Sequence, residues 1–130
     1  MKRRASCSCG ALAIECEGAP IRISMCHCLA CQKRTGSVFG VQARWPAERV
    51  RIEGTAQEWM RVGDSGGKIT FRFCPTCAAI VYYDIDQMPG VIAVPVGAFA
   101  DPSFGAPVFS VYEARKHPWV QLPDGIEHMD

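Results

Sequence analysis

Seven of the eight cysteines in this chain lie in three short clusters, and this spacing constrains the fold more than any other feature of the sequence. The clusters are Cys7-Ser8-Cys9, Cys26-His27-Cys28-Leu29-Ala30-Cys31 and Cys74-Pro75-Thr76-Cys77. A C-x2-C step turns the backbone tightly enough for two sulfurs to reach one ion, and zinc accepts cysteine sulfur in tetrahedral geometry. Two pairs and one triplet therefore predict a closed four-sulfur zinc site and a three-sulfur site with one open position. Spacing alone leaves open which clusters share an ion.

Disulfides are the alternative use of these cysteines, because an even number of them is typical of small secreted domains. The N-terminus, Met1 to Ser6, is basic and leads directly into a cysteine cluster, without an apolar stretch of signal-peptide length. We therefore expect a cytoplasmic, reducing location in which the thiols bind metal. The longest apolar stretch, residues 91–100, is interrupted by Pro95 and Gly97 and is too short to span a bilayer. We expect no membrane segment.

Length and charge narrow the function classes. A chain of 130 residues with 48% hydrophobic content suits one modest core, and metal crosslinks would stabilise it further. The formal net charge is +1, so the overall field gives no attraction to nucleic acid or to anionic membranes. We expect one domain over residues 4–119, followed by a loosely held tail over residues 120–130. No feature indicates an oligomeric state.

Hydrophobic residues recur mainly with a period of two, which is typical of half-buried strands. Leu12, Ile14 and Cys16, for example, alternate with more polar neighbours. The pattern predicts a mainly β fold with metal at the strand ends and helical turns only at residues 29–35 and 111–116. Strands are predicted at residues 12–17, 21–25, 38–45, 48–53, 57–62, 68–73, 79–83 and 91–96.

The remaining cysteine and the three histidines are not predicted to be ligands. Cys16 shares the apolar face of its strand, which indicates a buried apolar residue. His27 points opposite to its neighbours along an extended C-x-C backbone, so a supporting or substrate-facing role is expected. His117 and His128 lie in polar segments, where a solvated side chain is expected.

Three motifs together carry a family resemblance: C-x-C-G, then C-H-C-x2-C-Q-K-R-T-G-S, then F-C-x2-C. In this order they resemble the glutathione-dependent formaldehyde-activating enzyme family, whose domain also occurs in centromere protein V. The resemblance runs from about Arg4 to Trp119 and implies a single domain of twisted antiparallel sheets with zinc knuckles, similar to the zinc-binding Rab chaperones. It implies a structural zinc on Cys7, Cys9, Cys74 and Cys77. It implies an open zinc site on Cys26, Cys28 and Cys31.

One residue departs from the family pattern. The family usually has glycine directly after the last cysteine, where this chain has Ala78. If this position needs a left-handed backbone, alanine costs about 1–2 kcal/mol there. A structural zinc ion stabilises a fold by on the order of 10 kcal/mol, which absorbs such a cost.

The resemblance implies a carbon–sulfur lyase that joins the sulfur of glutathione to formaldehyde, giving S-hydroxymethylglutathione. Zinc held by three thiolates keeps one position for a small thiol or water and lowers its pKa. Cys26, Cys28 and Cys31 are therefore the expected catalytic residues. Carboxylates of the thiol partner are expected to contact the following segment, which offers cations, hydroxyls and backbone donors at Lys33, Arg34, Thr35 and Ser37. Alternatively, Lys33 and Arg34 form a solvated face.

Two other functions fit the same residues. In one, both metal sites are structural, and the domain is a zinc-stabilised module that binds a protein or nucleic acid without catalysis. In the other, Cys26, Cys28 and Cys31 form a redox-active thiol set, which requires loss of the metal. We expect a thiol-handling enzyme in preference to both, with nucleic acid the less favoured partner.

Overall fold

The computed structural model describes residues 1–129, and within this range the chain forms eleven strands and one α-helix. The strands are β1 (Lys2–Ser6), β2 (Ala13–Glu17), β3 (Arg22–Cys26), β4 (Gly40–Pro46), β5 (Val50–Glu53), β6 (Gln57–Val62), β7 (Lys68–Phe73), β8 (Ile80–Ile85), β9 (Val91–Pro95), β10 (Phe109–Val111) and β11 (Glu127–Met129). The helix is α1 (Leu29–Thr35), and short 3-10 turns cover Ala47–Arg49, Val96–Phe99 and Glu113–Arg115. The prediction of a mainly β domain is confirmed.

The strands form two sheets. The small sheet has the order β1-β2-β5, and the large sheet has the order β11-β10-β3-β4-β9-β8-β7-β6. Most neighbours are antiparallel as predicted, but β10 runs parallel to both β3 and β11. The parallel pairs arise because the chain leaves β9 through a 3-10 turn and a long loop, and then returns beside β3. The amide of Val108 donates to the carbonyl of Ile23 at 2.9 Å where this return begins.

The main core lies between the small sheet and one face of the large sheet. Ile14 from β2 and Leu12, just before this strand, pack with Trp45 from β4 and Val94 from β9, and all four side chains are fully buried. Cys16 belongs to the same core, as predicted, and burial raises the pKa of its thiol to about 12. This cysteine is therefore a packing residue that remains protonated.

The opposite face of the large sheet carries a row of aromatic side chains. Phe71 on β7 lies in register with Trp59 on β6 and with Tyr83 on β8. The ring of Phe71 is 5.8 Å from that of Trp59 and 5.0 Å from that of Tyr83, measured between centroids. Phe71 is only 1% exposed, and together with Tyr83 it lines a cavity that the second cysteine cluster and α1 also line.

Residues 120–129 are attached to the fold at a few points, which differs from the predicted loosely held tail. β11 pairs with β10, and Val120 and Ile126 are each 7% exposed, although all three residues of β11 are exposed. The two buried side chains are six positions apart and form no alternating pattern, so no periodicity marks them in the sequence. Asp130, the last residue of the predicted tail, lies outside the described residues, and the division of the chain at residue 119 stays a prediction.

Over residues 1–129, no helix combines the length and apolar character that a membrane crossing requires. The longest helix, α1, has seven residues.

Candidate metal centres and the adjoining cavity

The first and third cysteine clusters meet in space, although 65 positions separate Cys9 from Cys74. The sulfur of Cys9 lies 3.7 Å from that of Cys7 and 3.6 Å from that of Cys74, and with Cys77 all four sulfurs lie within 4.8 Å of one another. All eight cysteines are free thiols, so the disulfide alternative does not apply to this structure. The four residues could hold one metal ion, and they are the set that the family resemblance implies.

Backbone amides donate hydrogen bonds to the sulfurs of this four-cysteine group and so stabilise negative charge on them. The amide of Leu12 donates to the sulfur of Cys7 at 3.2 Å, and the amide of Thr76 donates to that of Cys74 at 3.3 Å. The backbone amides of Ala79 and then Cys9 lower the pKa of the Cys77 thiol to about 6. Such donors stabilise the thiolate form, which is the form that binds metal.

Ala78 adopts the left-handed backbone that glycine favours. Its φ is 69°, and its amide donates to the carbonyl of Cys74 at 2.8 Å, which closes the knuckle. This position therefore has the left-handed backbone at which alanine is disfavoured, and the Cβ of Ala78 costs about 1–2 kcal/mol there.

The second cluster forms a three-cysteine group where β3 passes into α1. Cys26 ends β3, Cys28 caps the N-terminus of α1, and Cys31 lies in its first turn. The sulfurs lie within 4.8 Å of one another, and each residue is less than a tenth exposed. The amide of Cys31 donates to the sulfur of Cys28 at 3.3 Å. A capping cysteine followed by a helical turn thus directs the sulfurs toward one point, where they could hold a metal ion.

Without a cation, the three thiols of this group differ strongly in how readily they lose a proton. The thiols of Cys26 and Cys31 donate to Cys28 and lower its pKa to about 2, whereas the interaction with Cys28 raises the pKa of Cys26. Thiolates this close repel each other strongly. Three thiolates can therefore coexist here only with a cation among them, which is what a metal ion supplies.

His27 lies on the other side of this backbone, as its place in the C-x-C motif predicts. It is fully buried, and its Nε2 is 3.0 Å from the hydroxyl of Ser110. Burial lowers the pKa of its imidazole. Its ring belongs to neither cysteine group, nor does it line the cavity beside the second group.

A cavity of about 160 Å³ opens beside the three-cysteine group, and all three of these cysteines line it. Its wall comes from α1, β4 and β6, and its floor is part of the aromatic row. Ser65 and Tyr112 also line it, and their hydroxyl oxygens are 2.8 Å apart. The side chains that give this cavity its chemical character are Arg34, Gln42, Arg44, Arg61, Phe71 and Tyr83.

The model of the glutathione-dependent formaldehyde-activating enzyme family matches residues 2–115. The chain belongs to this family. A search of curated proteins finds no match. Among solved structures, the crystal structure of a Rhodobacter sphaeroides protein, a structural genomics target, is similar with a TM-score of 0.59. The two sequences are 19% identical over 98% of this chain and 99% of that chain, so this likeness supports the fold alone.

Family membership links the chain to glutathione and formaldehyde. Four residues are predicted to contact the thiol substrate, and of these Arg34 lines the cavity. Its guanidinium lies 3.8 Å from the sulfur of Cys31. Lys33 instead borders a separate groove beside Trp59. The hydroxyl of Thr35 donates to the carbonyl of Cys31 at 2.9 Å and accepts from the amide of Ser37 at 3.1 Å. Thr35 and Ser37 thus shape the end of α1. Substrate contact stays a prediction for all four residues, Lys33, Arg34, Thr35 and Ser37.

Three cavity residues of this family member, Gln42, Arg44 and Arg61, are not predicted from the sequence. Gln42 and Arg44 alternate along β4 with the core residues Ala43 and Trp45, a pattern that also describes a solvent-facing strand face. The face is instead covered, and Gln42 is only 4% exposed, with no hydrogen-bond partner for its Oε1 within residues 1–129. This polar face of β4 forms a cavity wall because α1 lies beside it. A contact between distant parts of the chain leaves no periodic pattern in the sequence.

His117 is half-buried, which differs from the expected solvated side chain, whereas the side chain of His128 is 60% exposed, as expected. Both form a hydrogen bond. The Nε2 of His117 is 3.0 Å from the Oε1 of Gln32 on α1. The Nδ1 of His128 on β11 is 2.6 Å from a carboxylate oxygen of Glu113. Each partner lies more than ten residues away, so local polarity could not indicate the contact.

Proposed function

We propose that this family member catalyses the reversible addition of the thiol of glutathione to formaldehyde, as a zinc-dependent carbon–sulfur lyase. One observation supports this more than any other: the three-cysteine group offers one ligand fewer than a tetrahedron needs, and it lines a cavity. The four-cysteine group supplies a full ligand set and fits a structural role. We propose Cys26, Cys28 and Cys31 as the catalytic group.

The sulfur geometry supports zinc as the metal. Zinc–sulfur bonds of about 2.3 Å place the sulfurs of a tetrahedral site about 3.8 Å apart. The sulfur of Cys9 is 3.7 Å from that of Cys7 and 3.6 Å from that of Cys74, so an ion of this size fits between them. Thiolate ligands without oxygen or nitrogen partners also favour zinc over magnesium or calcium.

The reaction needs a nucleophilic sulfur and a place for a proton. When bound, zinc at the three-cysteine group would lower the pKa of a thiol in its open position. The glutathione sulfur attacks the carbonyl carbon, so that a carbon–sulfur bond forms and the π bond to oxygen breaks. The oxygen takes up the proton that the thiol has lost, giving the hydroxymethyl thioether. Arg34, 3.8 Å from the sulfur of Cys31, places positive charge beside the reacting sulfur and favours its thiolate form.

We propose that the protein works in the cytoplasm, because the seven ligand thiols must stay reduced to bind metal. The catalytic unit would be the domain over residues 4–119, which contains both cysteine groups.

The rate of exchange between glutathione and S-hydroxymethylglutathione, measured by NMR, tests this function. The zinc-loaded protein should accelerate the exchange, and Cys28→Ser should abolish the acceleration. Cys16→Ala is the matched control, because this cysteine lies outside both groups, and it should retain the rate. A folded, zinc-loaded protein that leaves the exchange rate unchanged would contradict the lyase and favour a binding module.

A further inference from the structure

Three arginines of the cavity wall carry positive charge that no carboxylate within residues 1–129 neutralises. Arg34, Arg44 and Arg61 take part in none of the ion pairs of the described chain. Arg72, by contrast, lies 3.0 Å from Asp84 on a neighbouring strand. The single carboxylate that borders the cavity, Asp64, is exposed at its edge.

Two of these guanidiniums stack on one ring. The Cζ of Arg34 lies 5.2 Å from the centroid of Phe71, and that of Arg61 lies 5.6 Å from it. Arg34 also lies 5.2 Å from the ring of Tyr83. The Nε atoms of Arg34 and Arg61 are buried, and within residues 1–129 neither has a hydrogen-bond partner. Two like charges beside one ring in a half-buried place repel each other, so the pair is more favourable when an anion joins it.

The cysteine group does not account for this charge. Zinc with three thiolates has a net charge of about minus one, which balances one of the three arginines. Arg34 is the arginine nearest to it, because it reaches the sulfur of Cys31. Arg44 donates to the hydroxyl of Ser24 at 2.9 Å, a neutral partner. Arg61 forms no ion pair with a carboxylate of residues 1–129, and its charge, like that of Arg34, acts on the cysteine group. A net charge of about minus one on that group leaves most of the arginine charge unbalanced.

We propose that Arg34 and Arg61, stacked on Phe71, together bind a carboxylate of the thiol substrate and make the cavity selective for acidic thiols. The inference rests on the proposed function, because the cysteine group has to hold the sulfur end of the same molecule. Paired guanidinium forks match the two oxygens of a carboxylate and bind it more strongly than neutral donors do. The buried ring keeps both forks in place before the ligand arrives.

Calorimetric titration with four ligands separates this inference from the proposed function. The ligands are glutathione, its diethyl ester, S-methylglutathione and the diethyl ester of S-methylglutathione. The ratio of acid to ester affinity measures recognition of carboxylates, and the ratio of free thiol to S-methyl affinity measures recognition of the sulfur. In 20 mM salt we expect each acid to bind about tenfold more tightly than its ester, and we expect this ratio to shrink as salt screens the charges.

Three results of these titrations would each contradict the carboxylate site, the proposed function or both. An acid-to-ester ratio near one in both pairs would overturn the carboxylate site while leaving the thiol chemistry intact. A free-to-methyl ratio near one with a large acid-to-ester ratio would support the carboxylate site and contradict the proposed function. No binding of any of the four ligands would overturn both.

Arg61→Gln tests the arginine of the proposed pair that, within residues 1–129, has no hydrogen bond to a cysteine sulfur. It should bring the acid-to-ester ratio close to one at unchanged zinc content, and Arg61→Lys, which keeps the charge but not the fork, should give an intermediate ratio. Arg22→Gln is the matched control, because this half-buried arginine also stacks on a ring, 4.6 Å from Phe109, but lies outside the cavity. It should retain the wild-type ratio. An unchanged ratio in both Arg61 variants would overturn the assignment.

Discussion

At the scale of single residues, two positions beside the cysteine groups break local rules. Ala78 holds a left-handed backbone in the knuckle of the four-cysteine group. Gln42 buries an amide oxygen that no group of residues 1–129 satisfies, in the wall of the cavity. Departures of this kind concentrate at functional sites, where metal or ligand binding offsets their cost. The sequence alone indicated the first, because the family pattern has glycine there, but it gave no signal for the second.

Ala78→Gly should raise the free energy of unfolding of the zinc-loaded protein by about 1 kcal/mol. Relief of the left-handed strain exceeds the extra chain entropy that glycine brings to the unfolded state. Denaturant unfolding measures the difference. Ala114→Gly is the control, because its backbone has no positive φ, and it should lower stability by about 0.5–1 kcal/mol. A loss of stability in Ala78→Gly would contradict the strain at this position.

At the scale of elements, α1 and its N-cap residue Cys28 bring together two cysteines of the three-cysteine group and Arg34. So short a helix has little stability of its own, and contacts with the rest of the fold have to hold it. Gln32 provides three of them: its Nε2 donates to the carbonyls of His27 at 2.9 Å and Arg115 at 3.1 Å, and its Oε1 lies 3.0 Å from Nε2 of His117.

Gln32→Ala should therefore lower the free energy of unfolding by about 1–3 kcal/mol, since it removes three hydrogen bonds, two of them to backbone carbonyls. It should also weaken glutathione binding, because Cys31 and Arg34 lose their fixed position. Lys33→Ala is the control, because Lys33 is exposed on the same helix. This substitution should change the free energy of unfolding by less than about 0.5 kcal/mol. Equal effects of the two substitutions would show that Gln32 does not anchor the helix.

Hydrophobic periodicity predicts some of these secondary-structure elements and not others. The hairpin of β6 and β7 and the helix α1 have the predicted bounds, because local alternation and turn residues determine them. β1 was missed because only Ala5 of its five residues is fully buried, and its pairing with β2 holds it in place. β10 and β11 were missed because they are three residues long and pair in parallel with distant strands. Contacts of this kind leave no local pattern in the sequence.

At the scale of the whole molecule, the four-cysteine group joins the two sheets. Cys7 follows the small-sheet strand β1, and Cys74 follows β7 of the large sheet, so a metal ion there closes a loop of more than sixty residues. The three-cysteine group spans residues 26–31 and closes almost no chain. Because the entropy removed from the unfolded state grows with loop length, the first group should contribute far more to folding than the second.

Cys77→Ser should accordingly unfold the protein or abolish its cooperative melting transition. Removing one structural thiolate forfeits much of the metal's contribution, which is comparable to the total stability of a small domain. Circular dichroism during heating, with and without added zinc, measures the transition. A cooperative melt of Cys77→Ser that is independent of zinc would contradict the structural role of this group.

The zinc content of folded Cys28→Ser tests the division between a structural and a reactive cysteine group most directly. Elemental analysis of the wild-type protein should give between one and two zinc ions per chain. In Cys28→Ser the value should fall toward one, and the melting transition should stay cooperative and shift only modestly. A Cys28→Ser protein that loses all its zinc and collapses as Cys77→Ser does would make both groups structural and contradict the open, reactive site.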